Sequence, residues 1–371
     1  MSRTGAKAAA GVETPATLGY RMPAEWAPHA ATILAWPHEK GDWPGKLAPI
    51  PWVYGEVVRH LVTGERVRIL LPDAATKARA RALLDRVGVD LGQVDLIIIP
   101  TDRSWTRDTA PIFVRRERDG DVAATDWKFN GWAKYPNHLR DDAVPARLAR
   151  KLKVRRFVAT ALGATDGPKA RARQVVLEGG SIDVDGAGTL LTTEECLLSP
   201  VQARNPGLDR ADLERALGDY LGVRKVVWLG DGIAGDDTHG HVDDLARFVG
   251  PRTVVIAQEP NASDPNHRPL AENRRRLDAA TDAAGRRLEV VALPMPAAVM
   301  LDGVRLPASY ANFYIGNAAV IVPTFNDPAD RKALGILGDL FPSRKVVGIH
   351  AVDLVWGLGT LHCMTQQEPA R

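Results

Sequence analysis

Short apolar runs alternate with amphipathic stretches along most of the chain. The apolar runs are short and rich in β-branched residues, as partly buried strands are. The segments between them are rich in Ala, Arg and Leu, and they have the composition and length of helices. Helices that alternate with strands predict an α/β protein. The predicted strands are 30–36, 67–71, 94–99, 157–158, 174–177, 226–229, 254–257, 288–293, 318–322 and 346–349, and the predicted helices are 54–63, 74–87, 142–152, 209–221, 271–284 and 327–340.

One pair of apolar runs lies too close together for parallel pairing. Residues 180–184 and 189–192 flank an Asp-Gly-Ala-Gly turn at 185–188, which predicts a hairpin. A purely parallel, doubly wound sheet does not contain such hairpins. Repeated units of helix and strand, each about 50 to 70 residues long and ending in a polar loop, instead predict a ring of small mixed sheets.

Composition narrows the class of protein without changing this picture. The 371 residues are 45% hydrophobic and 25% charged, as in soluble globular proteins. A chain of this length holds one large domain or about two to three average ones. A net charge of +3 is too balanced to indicate nucleic acid or an anionic membrane surface as the main partner. The two cysteines, Cys196 and Cys363, argue against a disulfide framework and favour a reducing cytoplasm.

The N-terminal part divides into two segments of different composition. Residues 1–19 are small and polar, which predicts a disordered leader; a transit peptide is the alternative, although Glu13 and the short length argue against it. Residues 20–54 contain repeated prolines and four of the nine tryptophans, which predict ordered loop around one short strand. No apolar run reaches the ~20 residues that a bilayer requires, so we expect a cytoplasmic protein.

Polar clusters recur where predicted strands end, which is where α/β folds place their sites. The first, SWTRDTAP, holds Trp105 and Asp108, although an internal salt bridge between Arg107 and Asp108 would explain that pair equally well. The second, LEGGSIDV, places Glu178 before two glycines. This pattern predicts either close backbone packing around a buried acid or an ordinary glycine turn.

A third cluster, GDDTHGHVDDLARFV, supports two different chemistries. If the stretch is extended, His241 and Asp243 point to the same face, and such a pair suits general acid and base catalysis. His239, His241 and Asp243 also alternate like metal ligands on a strand. A metal-dependent amidohydrolase is therefore an alternative.

The C-terminal segment supplies a thiol. Cys363 follows Gly357 and Gly359, at a bend where a side chain is presented rather than packed. An isolated cysteine is more often a small buried hydrophobe, so the interpretation depends on the other clusters. A thiol with a histidine and oriented carboxylates forms a nucleophile constellation that needs no metal.

Combined, the clusters predict an acidic site with a nucleophile. Three carboxylates would give a concave site an excess of negative charge, which suits a planar cation with several N–H donors. A guanidinium fits, because it offers paired N–H groups to two carboxylates at once and its carbon is then open to a thiolate. The residues of this predicted site are Cys363, His241, Asp108, Glu178 and Asp243.

Five spaced motifs carry a resemblance to a known family. They are WTRD at 105–108, FNGWAKY at 129–135, LEGG at 177–180, GHVDD at 240–244 and GLGTLHCMTQQEP at 357–369. With the opening MPAEWAPHAATILAWP, they make residues 21–369 similar to the agmatine deiminase and bacterial-type peptidylarginine deiminase family of the guanidino-group-modifying superfamily. Two positions depart from the family pattern: GLGTLHC lacks a third glycine and the frequent Asn, and His239 stands where Asn or Asp is frequent.

The resemblance implies a pseudo-fivefold α/β propeller, or barrel, of ββαβ-type units around a central active-site channel. It also implies hydrolysis of a guanidine to a ureido group and ammonia, without a metal or an organic cofactor. By the same resemblance, Cys363 attacks the guanidinium carbon, and His241 acts first as an acid and then as a base. Asp108 and Asp243 hold the guanidinium nitrogens, while Glu178 orients His241.

The resemblance also bears on substrate and partners. It favours agmatine, which would give N-carbamoylputrescine in putrescine biosynthesis, because no motif nominates an arginine to neutralise a substrate carboxylate. Free arginine, peptidyl-arginine and a catalytically silent propeller that binds a cation are the alternatives. Trp36, Trp105 and Trp132 are the expected walls for the aliphatic chain. We expect one catalytic domain at 20–371, a small guanidine as partner rather than nucleic acid or membrane, and a homodimer, as is common in the family.

Overall fold

The computed structural model describes residues 13–163 and 171–371 as a mixed α/β fold. Its helices are α1 (Ile50–Leu61), α2 (Ala74–Arg86), α3 (Thr106–Thr109), α4 (Leu139–Asp142), α5 (Val144–Leu152), α6 (Glu194–Leu198), α7 (Arg210–Leu221), α8 (His267–Ala279) and α9 (Ala329–Leu340). Its strands are β1 (Tyr20–Arg21), β2 (His29–Ala35), β3 (Arg66–Leu71), β4 (Val94–Ile98), β5 (Ile112–Arg116), β6 (Val122–Asp126), β7 (Arg155–Val158), β8 (Thr160–Ala161), β9 (Arg173–Gln174), β10 (Asp183–Val184), β11 (Thr189–Thr193), β12 (Lys225–Leu229), β13 (Ala246–Gly250), β14 (Thr253–Gln258), β15 (Glu289–Pro294), β16 (Met300–Leu301), β17 (Val304–Arg305), β18 (Tyr314–Ile315), β19 (Ala319–Thr324), β20 (Lys345–His350) and β21 (Gln366–Pro369). Short 3-10 turns lie at Ala16–Leu18, Leu91–Gln93, Gly179–Ser181, Val242–Asp244 and Leu354–Gly357.

Five small sheets of the described chain share one strand pattern. In β10-β11-β12, β13-β14-β15 and β18-β19-β20, the first strand is antiparallel to the second, and the second is parallel to the third. The sheet β1-β5-β6-β7 contains the same pattern in its last three strands. The sheet β21-β2-β3-β4 contains it in its first three. A hairpin joins the antiparallel strands in four of these sheets, and a helix supplies the crossover that each parallel pair requires.

Strands from the N-terminal and C-terminal parts of the chain meet in one of these sheets. β21 pairs antiparallel with β2, with Thr32 opposite Gln367 and Ile33 opposite Gln366. On the neighbouring strand β3, Arg68 Nε donates to Glu368 Oε2 at 2.7 Å. The sheet that begins near the N terminus is therefore completed by the C-terminal strand.

Helix α1 shows how local pattern builds the core. Tyr54, Val57, Val58 and Leu61 recur at intervals of three and four residues, and all four are buried, so they form the apolar face of the helix. They belong to the largest hydrophobic cluster, which also takes side chains from β3, β19 and α9.

No helix within residues 13–163 and 171–371 is long and apolar enough to cross a membrane.

The largest differences from the predicted helix ends are in α1 and α8. α1 starts earlier than predicted, because Pro51 lies in its first turn, where a missing N–H removes no helical hydrogen bond. α8 ends at Ala279 rather than at 284. In the turn that follows, Asp282 accepts hydrogen bonds from the backbone N–H groups of Ala284 and Arg286. The carboxylate competes with the helix for these donors and ends it.

The predicted leader is only partly described. Residues 1–12 lie outside the described residues. Residues 13–19 are ordered: Thr14 is buried, and the 3-10 turn at Ala16–Leu18 lies against α7. The prediction of disorder up to residue 19 is therefore wrong for this part, because Leu18 packs on a hydrophobic cluster that its small, polar neighbours in the sequence do not indicate.

Candidate active site

Four of the five sheets present a predicted site residue in the segment just before their first antiparallel strand. Asp108 lies in α3 before β5, and Glu178 directly precedes the 3-10 turn before β10. Asp243 lies in the turn before β13, and Cys363 lies just before β21. In the fifth sheet, Asn312 precedes β18 and donates from Nδ2 to Cys363 Sγ at 3.1 Å. The corresponding segments of the five sheets therefore converge on one site.

Gly180 lies where three of the site side chains converge. A Cβ atom on residue 180 would lie 2.6 Å from His241 Nδ1, 2.9 Å from Asp108 Oδ1 and 3.1 Å from Asp243 Oδ2. The Gly180 N–H also donates to Asp108 Oδ1 at 3.0 Å. A residue without a side chain is required here, which explains the second glycine of the LEGG motif.

His241 lies between two carboxylates. Its Nδ1 is 3.9 Å from Asp108 Oδ2 and its Nε2 is 3.8 Å from Glu178 Oε2, and all three side chains are buried. Burial alone would lower the pKa of His241, but the carboxylates and the neighbouring Cys196 raise this pKa well above its ordinary value. The ring is therefore protonated at neutral pH and can donate a proton.

Glu178 is held by a buried arginine that the sequence patterns did not single out. Arg204 Nε donates to Glu178 Oε1 at 2.9 Å, and neither side chain is exposed. The backbone carbonyl groups of Gln202 and Thr238 accept from the other guanidinium nitrogens. Burial acts to raise the pKa of Glu178, yet the charge of Arg204 outweighs burial and holds this pKa at about 2. Glu178 is therefore an anion beside His241.

Asp243 uses only one of its carboxylate oxygens within the described protein. Oδ2 lies 2.6 Å from His362 Nδ1 and 3.8 Å from Cys363 Sγ. Oδ1 is buried and has no hydrogen-bond partner among residues 13–163 and 171–371. Burial would raise the pKa of Asp243, but the hydrogen bond and charge of His362 lower it. Asp243 is thus an anion with one free oxygen beside the thiol, which suits an N–H donor.

Cys363 is a neutral thiol in the free site. Burial, followed by the negative charge of Asp243 and two further aspartates, raises the pKa of Cys363 well above that of an ordinary thiol. The pKa of Asp108 is raised to about 6, because burial has a larger effect than the nearby His241. A cation bound among these groups would lower the pKa of the thiol and favour the thiolate.

A pocket of about 90 Å³ gives access to Cys363 and Asp108. Trp105 and Trp132 line it, and Trp132 Nε1 donates to Asp108 Oδ2 at 2.9 Å. Trp36 does not belong to this lining within the described chain. It packs edge-on against Tyr54 in the core, so the prediction that it forms a wall of the pocket is wrong. The remaining polar and charged side chains of the lining are Asp42, Arg103, Tyr135, Asp237 and Thr238.

The metal-ligand pattern predicted on an extended strand is wrong. His239 lies in a turn with φ of 66°, where its Nε2 is 3.1 Å from Ser199 Oγ and its Nδ1 is 3.5 Å from Glu195 Oε1. Its ring therefore has different neighbours from the ring of His241. Within residues 13–163 and 171–371, two other groups of side chains could offer metal ligands, and both consist of the site's own side chains. In each group the ligand atoms lie within 4.8 Å of one another. The two groups are Glu178 with Cys196 and His241, and Asp243 with Asp244 and Cys363.

Sequence patterns identified the reacting groups but missed the residues that hold them. The sequence offered a signal for His362, because this residue directly precedes the predicted nucleophile Cys363. Arg204 had a weak signal as an arginine in the turn sequence QARNPG, and Asn312 had none. The missed residues in contact with the site are Arg204, Asn312, His362 and, behind His362, Glu25.

The mixed α/β fold and a buried site that combines a thiol, a protonated imidazole and carboxylates define a thiol enzyme with an anionic site. The model of the Porphyromonas-type peptidyl-arginine deiminase family matches residues 21–369. The chain belongs to this family, and the family resemblance of the five motifs is confirmed.

Relatives of similar length support this assignment. The chain is 37% identical over 380 residues to an agmatine deiminase of Pseudomonas aeruginosa, covering 96% of this chain and 97% of that protein. The structure of the agmatine deiminase of Enterococcus faecalis is similar with a TM-score of 0.87 and 33% identity, covering 99% of this chain and 100% of that chain. The C. jejuni agmatine deiminase with substrate bound gives a TM-score of 0.81 and 28% identity, covering 95% and 97% of the two chains.

Proposed function

We propose that this chain is an agmatine deiminase, which hydrolyses the guanidinium group of agmatine to give N-carbamoylputrescine and ammonia. The observation that carries the proposal is the free oxygen of Asp243. This oxygen is buried, lies on the carboxylate beside the Cys363 thiol, and has no hydrogen-bond partner in the described part of the chain. A guanidinium would supply the missing N–H donor and bring its carbon close to sulfur. The names of the full-length relatives support the same activity.

Substrate binding comes first in the proposed mechanism. Asp243 Oδ1 and the carboxylate of Asp108 accept N–H groups from the planar guanidinium, which fixes its carbon in front of Cys363. The positive charge of the substrate offsets the carboxylates around the thiol. The pKa of Cys363 therefore falls when substrate is bound, and the thiol proton passes to solvent.

The chemical steps follow from the thiolate. Cys363 Sγ forms a bond to the guanidinium carbon, His241 protonates the departing nitrogen, the C–N bond breaks, and ammonia leaves. An amidino thioether then remains on sulfur. The neutral His241 removes a proton from water, and the hydroxide attacks the same carbon. The new hydroxyl group gives its proton to solvent, the C–S bond breaks, the ureido product leaves, and the thiolate is restored. Glu178, ionised beside Arg204, stabilises the cationic form of His241 and keeps the ring in place.

The pocket lining bears on the far end of the substrate. Agmatine ends in an ammonium group, and two carboxylates, Asp42 and Asp237, line the pocket. Each already contacts a cation, Asp42 the guanidinium of Arg103 and Asp237 the ammonium of Lys134. The pair would still favour an ammonium group over the carboxylate of arginine. Trp105 and Trp132 would pack along the methylene groups. Free arginine is the second candidate, because Arg103 lines the same pocket and would contact its carboxylate, although Arg103 already forms an ion pair with Asp42.

Ureido product formed from agmatine, free arginine and an arginyl peptide, measured side by side, tests the substrate. We expect kcat/KM for agmatine to be at least about 100-fold higher than for the other two, because a substrate carboxylate would meet Asp42 and Asp237. Asp237→Asn should raise KM for agmatine. KM for arginine should stay unchanged or decrease. An equal or higher kcat/KM for arginine would contradict the proposal and favour the second candidate.

Chelators, alkylation and one variant test the thiol chemistry. We expect activity to survive chelators, iodoacetamide to inactivate the enzyme, and agmatine to protect it. Cys363→Ala should bind agmatine without forming product. Activity lost to chelators but retained after alkylation would indicate a metal-dependent amidohydrolase. A Cys363→Ala protein that matches the wild type in every measurement would indicate a silent cation-binding protein.

We also propose that residues 20–371 form a single catalytic domain, a pseudo-fivefold α/β propeller with the site at its centre. Five sheets with one strand pattern, whose leading segments converge near Cys363, support this architecture. A cytoplasmic homodimer that serves putrescine biosynthesis is the proposed setting. Light scattering should give about twice the mass of one chain, and calorimetry should give one cooperative transition. A monomer mass or two separate transitions would contradict these points.

A further inference from the structure

His362, the residue next to the thiol, has a buried ring between two carboxylates. Its Nδ1 lies 2.6 Å from Asp243 Oδ2, and its Nε2 lies 2.8 Å from Glu25 Oε2. The side chain of His362 is 2% exposed. No role for this ring follows from the proposed chemistry, in which His241 transfers the protons.

The two contacts define the protonation state of the ring. Ionised carboxylates can only accept hydrogen bonds, so each ring nitrogen of His362 must carry a proton. Glu25 is ionised, because Arg107 Nη2 at 3.2 Å and Arg247 Nη2 at 2.9 Å face it, and the Ile315 N–H donates to it at 2.9 Å. Burial works against this charge, but the basic groups hold the pKa of Glu25 well below its usual range.

The position of His362 also decides which oxygen of Asp243 is free. The ring takes Oδ2, and Oδ1 stays without a partner within residues 13–163 and 171–371. Without the ring, Oδ2 would keep only the long 3.8 Å contact with Cys363 Sγ among the described hydrogen bonds. The carboxylate could then rotate, and the free oxygen would no longer be held in one place.

We propose that His362 is a positioning residue, an imidazolium that holds Asp243 ionised and leaves its Oδ1 free for the guanidinium of the substrate. The inference rests on the proposed function, since it gives that oxygen a guanidinium to bind. The link between Glu25 and His362 has a separate, structural role: it ties the segment before β2 to the loop that carries Cys363.

Two matched variants separate these roles. In His362→Asn the amide nitrogen replaces Nδ1 and still donates to Asp243, whereas in His362→Gln it replaces Nε2 and still donates to Glu25. We expect His362→Gln to raise KM for agmatine by about 10- to 100-fold, and His362→Asn by less than about 5-fold. The free energy of unfolding should be measured on both variants, so that a loss of stability is distinguished from a change in KM. Equal KM values, or a larger KM for the Asn variant, would show that the ring is only structural and would overturn the proposal.

A second measurement does not depend on turnover. In protein labelled with ¹⁵N-histidine, the two contacts with carboxylates lead us to expect a proton on both ring nitrogens of His362 at neutral pH. Loss of the signals in His362→Gln assigns them. A neutral ring with one bare nitrogen would overturn the proposal even if agmatine is the substrate. If the wild-type protein does not turn over agmatine but its His362 ring carries both protons, the result would contradict the proposed function alone.

Discussion

At the scale of the residue, the carboxylates of the active site differ in the groups that contact them. Glu178 and Asp243 each contact a buried basic side chain. Asp108 instead accepts from two neutral donors, the Trp132 indole N–H and the Gly180 backbone N–H. Neutral donors offset less of the cost of burying a charge than a cation does. Burial therefore raises the pKa of Asp108 to about 6, although His241 lies nearby.

This pKa leads to a prediction for the acid side of the pH profile. kcat/KM for agmatine should fall as the pH drops through about 6, because Asp108 takes up a proton and loses its charge. A raised carboxyl pKa places this loss at a higher pH than for an ordinary aspartate. Trp132→Phe removes a hydrogen-bond donor that stabilises the Asp108 carboxylate. It should therefore move the acid limb of the kcat/KM profile to higher pH by about half a unit to one unit.

Initial rates between about pH 5 and about pH 8 measure this limb. The control is Trp52→Phe, since Trp52 is 46% exposed and lies in α1. It should leave the limb in place. No fall in kcat/KM down to about pH 5, or an acid limb that Trp132→Phe does not move, would contradict the assignment to Asp108.

Arg204 leads to a second prediction at this scale. Arg204→Met should lower the free energy of unfolding by about 3 kcal/mol or more, because the buried Glu178 then loses its hydrogen-bonded cation and keeps only His241, 3.8 Å away. It should also lower kcat by about 100-fold or more, since His241 loses an ionised partner. Urea denaturation and steady-state kinetics measure the two effects. Adding Glu178→Gln to Arg204→Met should restore much of the stability but none of the activity. Wild-type kcat in Arg204→Met would refute the role given to Glu178.

At the scale of the element, very short helical turns carry the site. α3 and the 3-10 turns at Gly179–Ser181 and Val242–Asp244 each place one or two side chains at the end of a sheet. Their backbone runs close to neighbouring groups, so small residues are required. A Cβ at Gly357 would lie 2.6 Å from Trp43 Nε1, and one at Gly359 would lie 3.3 Å from Cys363 Sγ. The glycines of these motifs therefore serve close packing around the thiol.

Gly180 tests this requirement. Gly180→Ala should lower kcat/KM by about 100-fold or more while the protein still folds, because the new methyl group would displace His241, Asp108 or Asp243. Kinetics and circular dichroism together measure the outcome. The matched control is Gly338→Ala in α9, where a Cβ meets nothing within 4 Å. It should leave activity unchanged and raise stability by up to about 1 kcal/mol. Near-normal activity in Gly180→Ala would contradict the described convergence.

At the scale of the whole molecule, the two ends of the chain depend on each other. β21 completes the sheet that β2 begins, and the Ala370 N–H donates to the Pro28 carbonyl at 2.8 Å. Close to this sheet, Glu25 near the N terminus contacts His362 near the C terminus. The loop that carries the thiol is therefore anchored on both sides by contacts between segments far apart in sequence.

Removing residues 366–371 tests this closure. The deletion should lower the free energy of unfolding by about 3 kcal/mol or more, because the β21 ladder is lost at about 1 kcal/mol for each hydrogen bond. Activity should fall with it, since the loop before β21 loses its anchor. Calorimetry and kinetics measure both. Removing Arg371 alone, which keeps the Ala370 contact, should change neither. A stable and active deletion variant would contradict a closing role for β21.

The local sequence pattern was sufficient to predict much of the fold and the reacting groups. Most predicted strands and helices are present, because burying one face imposes a period of two or about 3.6 on neighbouring residues. The predicted hairpin of residues 180–184 and 189–192 is also present, although only Asp183–Val184 forms its first strand and Gly179–Ser181 is a turn. Errors lie at element ends, where single side chains such as Asp282 decide the boundary.

The sequence by itself determined the elements, the family and the side chains that meet in the pocket. Only the tertiary structure decided which of these side chains are charged, and it separated His241 from His239 and the pocket tryptophans from Trp36. The physical reason is distance along the chain. A hydrophobic period is set by nearby residues, whereas a pKa or a hydrogen bond depends on burial and on distant groups, as for Asp243 and His362, which are 119 residues apart.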